Sequence, residues 1–104
     1  MMAGTIAVRH DRRWSAASWL FEWVVDFVAK QLGDDADADQ LREVIEENLG
    51  WVDLSSFAPE VRARIGESIR HQLVPAAEAE LPSSLPNRQQ VVKHLEELAE
   101  LVDA

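Results

Sequence analysis

Residues 14–32, WSAASWLFEWVVDFVAKQL, decide how this chain folds. From Ser18 onward the polar residues Ser18, Glu22, Asp26 and Lys30 recur every fourth position and share one narrow stripe of an α-helix. The other faces carry Trp19, Leu20, Phe21, Trp23, Val24, Val25, Phe27 and Val28. A helix apolar around most of its circumference must be covered on several sides, which makes it the central helix of a small bundle. Ser15 reads as its N-cap, with Trp14 before it and Trp19 four positions inside at the spacing of a hydrophobic staple. Gly33 ends it by supplying a left-handed C′ position.

Immediately downstream, residues 34–47 hold seven carboxylates, Asp34, Asp35, Asp37, Asp39, Glu43, Glu46 and Glu47, against Arg42 as the one base. A second helix starts near Asp37 or Asp39 and runs to Leu49, with Leu41, Val44, Ile45 and Leu49 on its inner face and Gly50 as its stop. The leading acids lie where the helix macrodipole favours negative charge, by about 0.3–1 kcal/mol each. Capping therefore explains part of the cluster, and the remainder forms a negative outer face.

The connector WVDLSSF (residues 51–57) is apolar enough to fold back onto the core, and Pro59 with Glu60 opens a third helix. Arg62, Arg64, Arg70 and His71 make that helix locally basic, a complement to the acidic one. Gly66 weakens its middle, and Pro75 must kink it or begin a new turn through Leu81. LPSSLP (residues 81–86) is loop chemistry, and Asn87 with Gln90 resembles a capping box for a final helix whose inner stripe is Val91, Leu95, Leu98 and Val102. At the other end, GTIAVR (residues 4–9) adds a short strand or an extended arm before the basic cluster Arg9, Arg12 and Arg13. The expected architecture is all-α: one domain over residues 1–104, a compact bundle of about four helices with residues 1–13 as an extended basic lead-in.

With 104 residues and 47% hydrophobic content the chain holds enough apolar material for one core without metal or disulfide staples. It contains no cysteine, which excludes disulfide scaffolds, thiol catalysis and thiolate zinc sites and makes the cytoplasm the expected compartment. Glu22 and Asp26 interrupt the apolar run that follows Arg12 and Arg13, so it reads neither as a signal peptide nor as a membrane span. The formal charge of -9 disfavours nucleic acid and anionic membrane as partners and favours a cationic protein.

Candidate chemistry is sparse. Asp35, Asp37, Asp39 and Glu46 fall at positions 1, 3, 5 and 12 of an EF-hand frame, but Gln40 stands where the loop needs glycine, so calcium is not expected. His10, His71 and His94 have no second ligand at a metal spacing, and His94 reads as a boundary residue of the last helix. Ser55, Ser56, Ser83 and Ser84 suit caps and turns, and the four glycines form no phosphate loop. Glu46 with Glu47 and Glu96 with Glu97 diverge by about 100° around their helices and read as solvated faces rather than acid–base pairs. No enzyme, cofactor or metal is expected.

In size, acidity and lack of cysteine, and through segments such as SWLFEW (residues 18–23), GWVDLSSF (residues 50–57) and LPNRQQVVKHL (residues 85–95), the chain resembles the small bacterial immunity proteins that neutralise toxins delivered between cells. The resemblance implies an inhibitor of a basic toxin, such as a nuclease. It carries over no fold and no binding residue. The partner-binding face, Asp34, Asp35, Asp37, Asp39, Glu43, Glu46 and Glu47, is read from charge alone, because such a face steers a cationic partner. A second expectation, from a different class, is a structural adaptor or homodimer anchored by Trp14, Trp19, Trp23 or Trp51 of the tryptophan-rich region. The plainest alternative to both is that the acids only keep the chain in solution.

Overall fold

The computed structural model describes residues 3–9, 11–33, 36–47 and 49–103. Its first two elements are strands: β1 (Ala3–Arg9) and β2 (Arg12–Ala17) form an antiparallel hairpin. The 15-residue helix α1 (Ser18–Leu32) follows directly, then α2 (Ala36–Glu46) and a three-residue strand β3 (Trp51–Asp53). A 3-10 turn (Leu54–Ser56) leads into α3 (Pro59–Ser68), a π-helical turn (Ile69–Leu73) and α4 (Val74–Glu80); α5 (Arg88–Asp103) closes the order. β3 runs parallel to β1, so the sheet has the order β2-β1-β3.

The fold is thus α+β, and the all-α expectation is corrected by this sheet. Its physical basis is a period-two pattern shared by three separate segments. In β1, Gly4 and Ile6 face inward and Thr5 faces outward; in β2, Trp14 is buried between the more exposed Arg13 and Ser15. Ile6 stands in register with Trp14 on one side and Val52 on the other, and all three are buried in a row beneath the sheet. The residues expected to be an extended basic lead-in therefore supply the centre strand.

The beginning of α1 moves accordingly. Ser15 lies in β2, where its hydroxyl meets Thr5 Oγ1 at 2.9 Å, so it does not cap the helix. Ala17 occupies the N-cap position without a side-chain cap, and Trp14 is a strand residue rather than the outer half of a staple. Most of the helix follows its pattern, but Trp19, expected to be covered, is exposed. Leu20, Phe21, Val24, Val25, Phe27, Val28, Ala29 and Leu32 are buried, while Asp26 and Lys30 on the polar stripe form an exposed pair at 2.9 Å. Hydrogen bonding and charge attraction from Asp26 raise the Lys30 ammonium above its ordinary pKa. Gly33, at φ 78°, takes up the positive backbone angle that ends α1.

Sheet and helix meet at Gly4. A Cβ there would come 2.0 Å from Cγ of Phe21, so only glycine lets β1 lie this close to α1. α1 is central as expected, touching the hairpin, α2, α3 and the π-helical turn. α3 packs on α1 and α5; it is not basic, since Arg62 and Arg64 are matched by Glu60 and Glu67 and the further bases Arg70 and His71 lie in the π-helical turn, while α2 packs on α1 and β3.

Pro75 neither breaks nor ends the third helix. It has no N–H for the carbonyl four residues back, and its ring crowds that carbonyl. The turn just before it widens into the π-helical Ile69–Leu73, and the rod continues into α4 with Ile69 and Leu73 fully buried. α5 begins after Asn87, whose carbonyl accepts from Val91 N–H at 3.0 Å. It buries Val91, Leu95 and Leu98 in one connected core with the sheet and α1. Among the described residues no helix is long and apolar enough to cross a membrane.

Candidate functional site

The acidic segment divides. Asp34 and Asp35 lie outside the described residues, as does His10. Asp37 is half-buried in the first turn of α2, whereas Asp39, Glu43, Glu46 and Glu47 are exposed. Asp39 is held by Arg42 at 3.2 Å, and the same guanidinium donates to the Gly33 carbonyl at 3.0 Å, so Arg42 ties α2 to the end of α1. Glu43, Glu46 and Glu47 then share one helix face by their three- and four-residue spacing. Asp37, Asp39 and Glu46 all belong to α2, a continuous helix and not a calcium loop.

Where α2 stops decides what lies beside those acids. The helix ends at Glu46, and Leu49 N–H reaches back to the Val44 carbonyl at 3.0 Å, the six-residue bond of a Schellman-type terminus. Leu49 is therefore no longer on the inner face of the helix. It is 60% exposed, a correction to the expected stripe, and Trp51 two residues on is 44% exposed. Gly50 between them has φ 68°.

These two side chains stand at a cleft of about 300 Å³ between α2 and β3. Leu41 and Val44 line it from the helix; Val52 and Phe57 line it from the strand and the turn beyond. Glu43 and Asp53 contribute carboxylates from opposite sides. Asp53 is fixed, since its Oδ1 accepts from Ser55 N–H at 3.0 Å and from Ser55 Oγ at 2.6 Å. Its carbonyl accepts from Ser56 Oγ at 2.7 Å.

Trp51 is also placed with care. Arg13 from β2 lies over its ring, 5.4 Å from the centroid, so a cation–π contact spans the outer face of the sheet. Between the two strands, Ala7 is only 5% exposed. One ring face is thus backed by Arg13 while the indole also lines the cleft.

The backbone adds a third property. Thr5 N–H donates to the Gly50 carbonyl at 3.0 Å, so Gly50 and Val52 turn their peptide groups toward β1. By strand alternation, Trp51 and Asp53 turn theirs to the opposite side, where β3 carries no further strand among the described residues.

The opposite edge of the sheet is closed. Trp14 is 3% exposed, donates from Nε1 to the His94 carbonyl at 2.9 Å, and stacks on the His94 ring at 4.8 Å. His94 Nε2 donates to the Ser15 carbonyl at 2.6 Å, and Nδ1 lies 3.0 Å from Glu97. His94 is a clasp between β2 and α5, and Trp14 is not available as an anchor for a partner.

The other tryptophans divide likewise. Trp23 is half-buried and stacks on Phe27 at 5.9 Å, whereas Trp19 is 47% exposed. Among the described residues no three histidine, aspartate or glutamate side chains converge to hold a metal ion. Sequence reasoning missed the cleft itself, meaning Leu49, Trp51 and the outward peptide groups of β3. The usable signal was Gly50 followed by the alternation of Trp51, Val52 and Asp53 before two serines. No family model, curated protein or solved structure matches the chain.

Proposed function

We propose that this is a binding protein, not an enzyme, that neutralises a cationic protein partner through the cleft between α2 and β3, in the manner of an immunity protein blocking a basic toxin domain. The observation that carries the reading is that Leu49 and Trp51, two of the three large apolar side chains left exposed among the described residues, sit at the same cleft as Glu43 and Asp53. Apolar anchors ringed by charge are the usual anatomy of a protein-binding hot spot, and a charge of -9 accelerates encounter with a basic surface. Glu46, Glu47 and Asp39 extend the negative face along α2, and Asp34, Asp35 and Asp37 extend it by sequence. The absence of cysteine supports action in the cytoplasm.

The test is capture of partners by the tagged chain from its native cells at low and high salt. One basic protein should be recovered, less of it at high salt, and it should be lost when Glu43, Glu46 and Glu47 are changed together to Gln. Equal recovery by the triple variant would defeat the charge-driven reading.

A second reading has one observation in its favour. Trp19, 47% exposed on α1, offers an apolar seat for a second copy of the chain. Sedimentation of the Trp19→Ala variant decides it: a parent dimer that falls to monomer supports that reading, and an unchanged profile removes it.

A further inference from the structure

Resting on the reading above, we infer that the open edge of β3 receives an extended basic segment of the partner as an added strand, with alternate apolar side chains seated in the cleft against α2. The backbone argument comes first. The Trp51 N–H and carbonyl and the Asp53 N–H point away from β1 by strand alternation, while the Asp53 carbonyl is already taken by Ser56. An edge that presents main-chain donors and acceptors is a template for another strand. Natural edges are blunted with short strands, charge, proline or a covering element; β3 is short and ends on Asp53, but it carries neither the lysine that would repel a basic segment nor a proline.

The cleft supplies what an edge alone lacks. Side chains of an added strand alternate between two faces, so every second one would turn toward α2. Leu41, Val44 and Phe57 form an apolar floor there, with Leu49 and Trp51 at the mouth. At about 300 Å³ the space lies at the small end of ligand sites and suits one or two side chains of a peptide rather than a folded surface. A three-residue edge offers few ladder bonds, so charge must contribute to affinity. Glu43 from α2 and Asp53 from β3 line the two walls, with Glu46 and Glu47 at the end of α2, so lysine or arginine beside the seated apolar side chains meets carboxylate at the cleft.

The same geometry argues against other occupants. A nucleic acid strand would meet carboxylates, and a fatty chain would leave both the carboxylates and the peptide groups of β3 without partners. An acidic peptide would place like charge beside Glu43 and Asp53.

The experiment uses the full chain and a fluorescent octapeptide of alternating lysine and valine, followed by anisotropy at low and high salt. Its control is the same octapeptide N-methylated at alternate residues, which keeps charge and apolar surface but removes ladder donors. The parent peptide should bind, more weakly at high salt. The methylated one should bind about tenfold more weakly, the scale of one or two lost hydrogen bonds. Trp51→Ala, checked for folding by circular dichroism, should weaken the parent peptide by a similar factor. Equal binding of both peptides would overturn strand addition while leaving the cationic-partner reading intact. Absence of octapeptide binding, with the native partner still captured in a charge-dependent way, would overturn the strand alone. Loss of charge dependence in capture is a separate failure, that of the proposed function.

Discussion

The two edges of one small sheet are treated in opposite ways. At the β2 edge, Trp14 is buried under α5, its indole bonded to the His94 carbonyl, and the Ser15 carbonyl is occupied by the His94 ring. At the β3 edge, Trp51 is exposed, a cleft lies between the strand and α2, and the peptide group of Trp51 turns away from β1. Both tryptophans come from short strands of the same sheet, so residue type does not explain the difference. What differs is the third element. α5 brings a side chain with ring donors to β2, whereas α2 brings carboxylates and aliphatic side chains to β3. An edge closed by hydrogen bonds is structural; an edge left open beside apolar and charged groups is where a partner can add.

The sharpest contrast is between the two indoles. Trp14→Ala should cost about 3–5 kcal/mol in urea unfolding, the scale of truncating a buried aromatic. Trp51→Ala should cost under about 1 kcal/mol, mostly its contact with Arg13. Equal losses would break the comparison.

Gly4→Ala should come next, at about 1–3 kcal/mol, because the new Cβ meets Phe21 at its ring root and must displace β1 from α1. Both edges hang on that strand, so the variant should loosen them together, seen as faster amide exchange at Trp14 and Val52 alike. His94→Ala should cost about 1–2 kcal/mol by stranding the Ser15 carbonyl and removing the stack on Trp14. It should also open the β2 edge, so sedimentation should show more self-association than the parent. The smallest effect on stability, within about 0.5 kcal/mol, should come from neutralising Glu43, Glu46 and Glu47, which are exposed. Their loss should appear instead as slower association with the captured partner.

The helical part of this architecture was legible because it is local. The four-residue stripe of α1, the proline that opens α3 and the inner face of α5 are written in contiguous windows, and burial follows them. The sheet was not, because it joins residues 3–17 to residues 51–53 and rests on pairings no window contains. The link between β1 and β2 lacks a glycine, so it gave no turn signal, and Trp14 and Ser15 read equally well as a helix entry. At the site, the acids of α2 were plain from charge. The cleft depended on where α2 ended: an inward Leu49 leaves no cleft, and an outward one makes a wall of it. That outcome is set by a terminal hydrogen bond, Leu49 to Val44, which periodicity does not encode.

The most direct test of the open and closed edges is a proton–nitrogen spectrum of the four tryptophan indoles, assigned by single Trp→Phe variants, with and without the lysine–valine octapeptide. The Trp14 indole should exchange slowly with solvent and stay in place when the peptide is added, while the Trp51 indole should exchange fast and move with saturation. A Trp51 signal indifferent to the peptide, or a Trp14 signal that exchanges as fast as Trp51, would contradict the account.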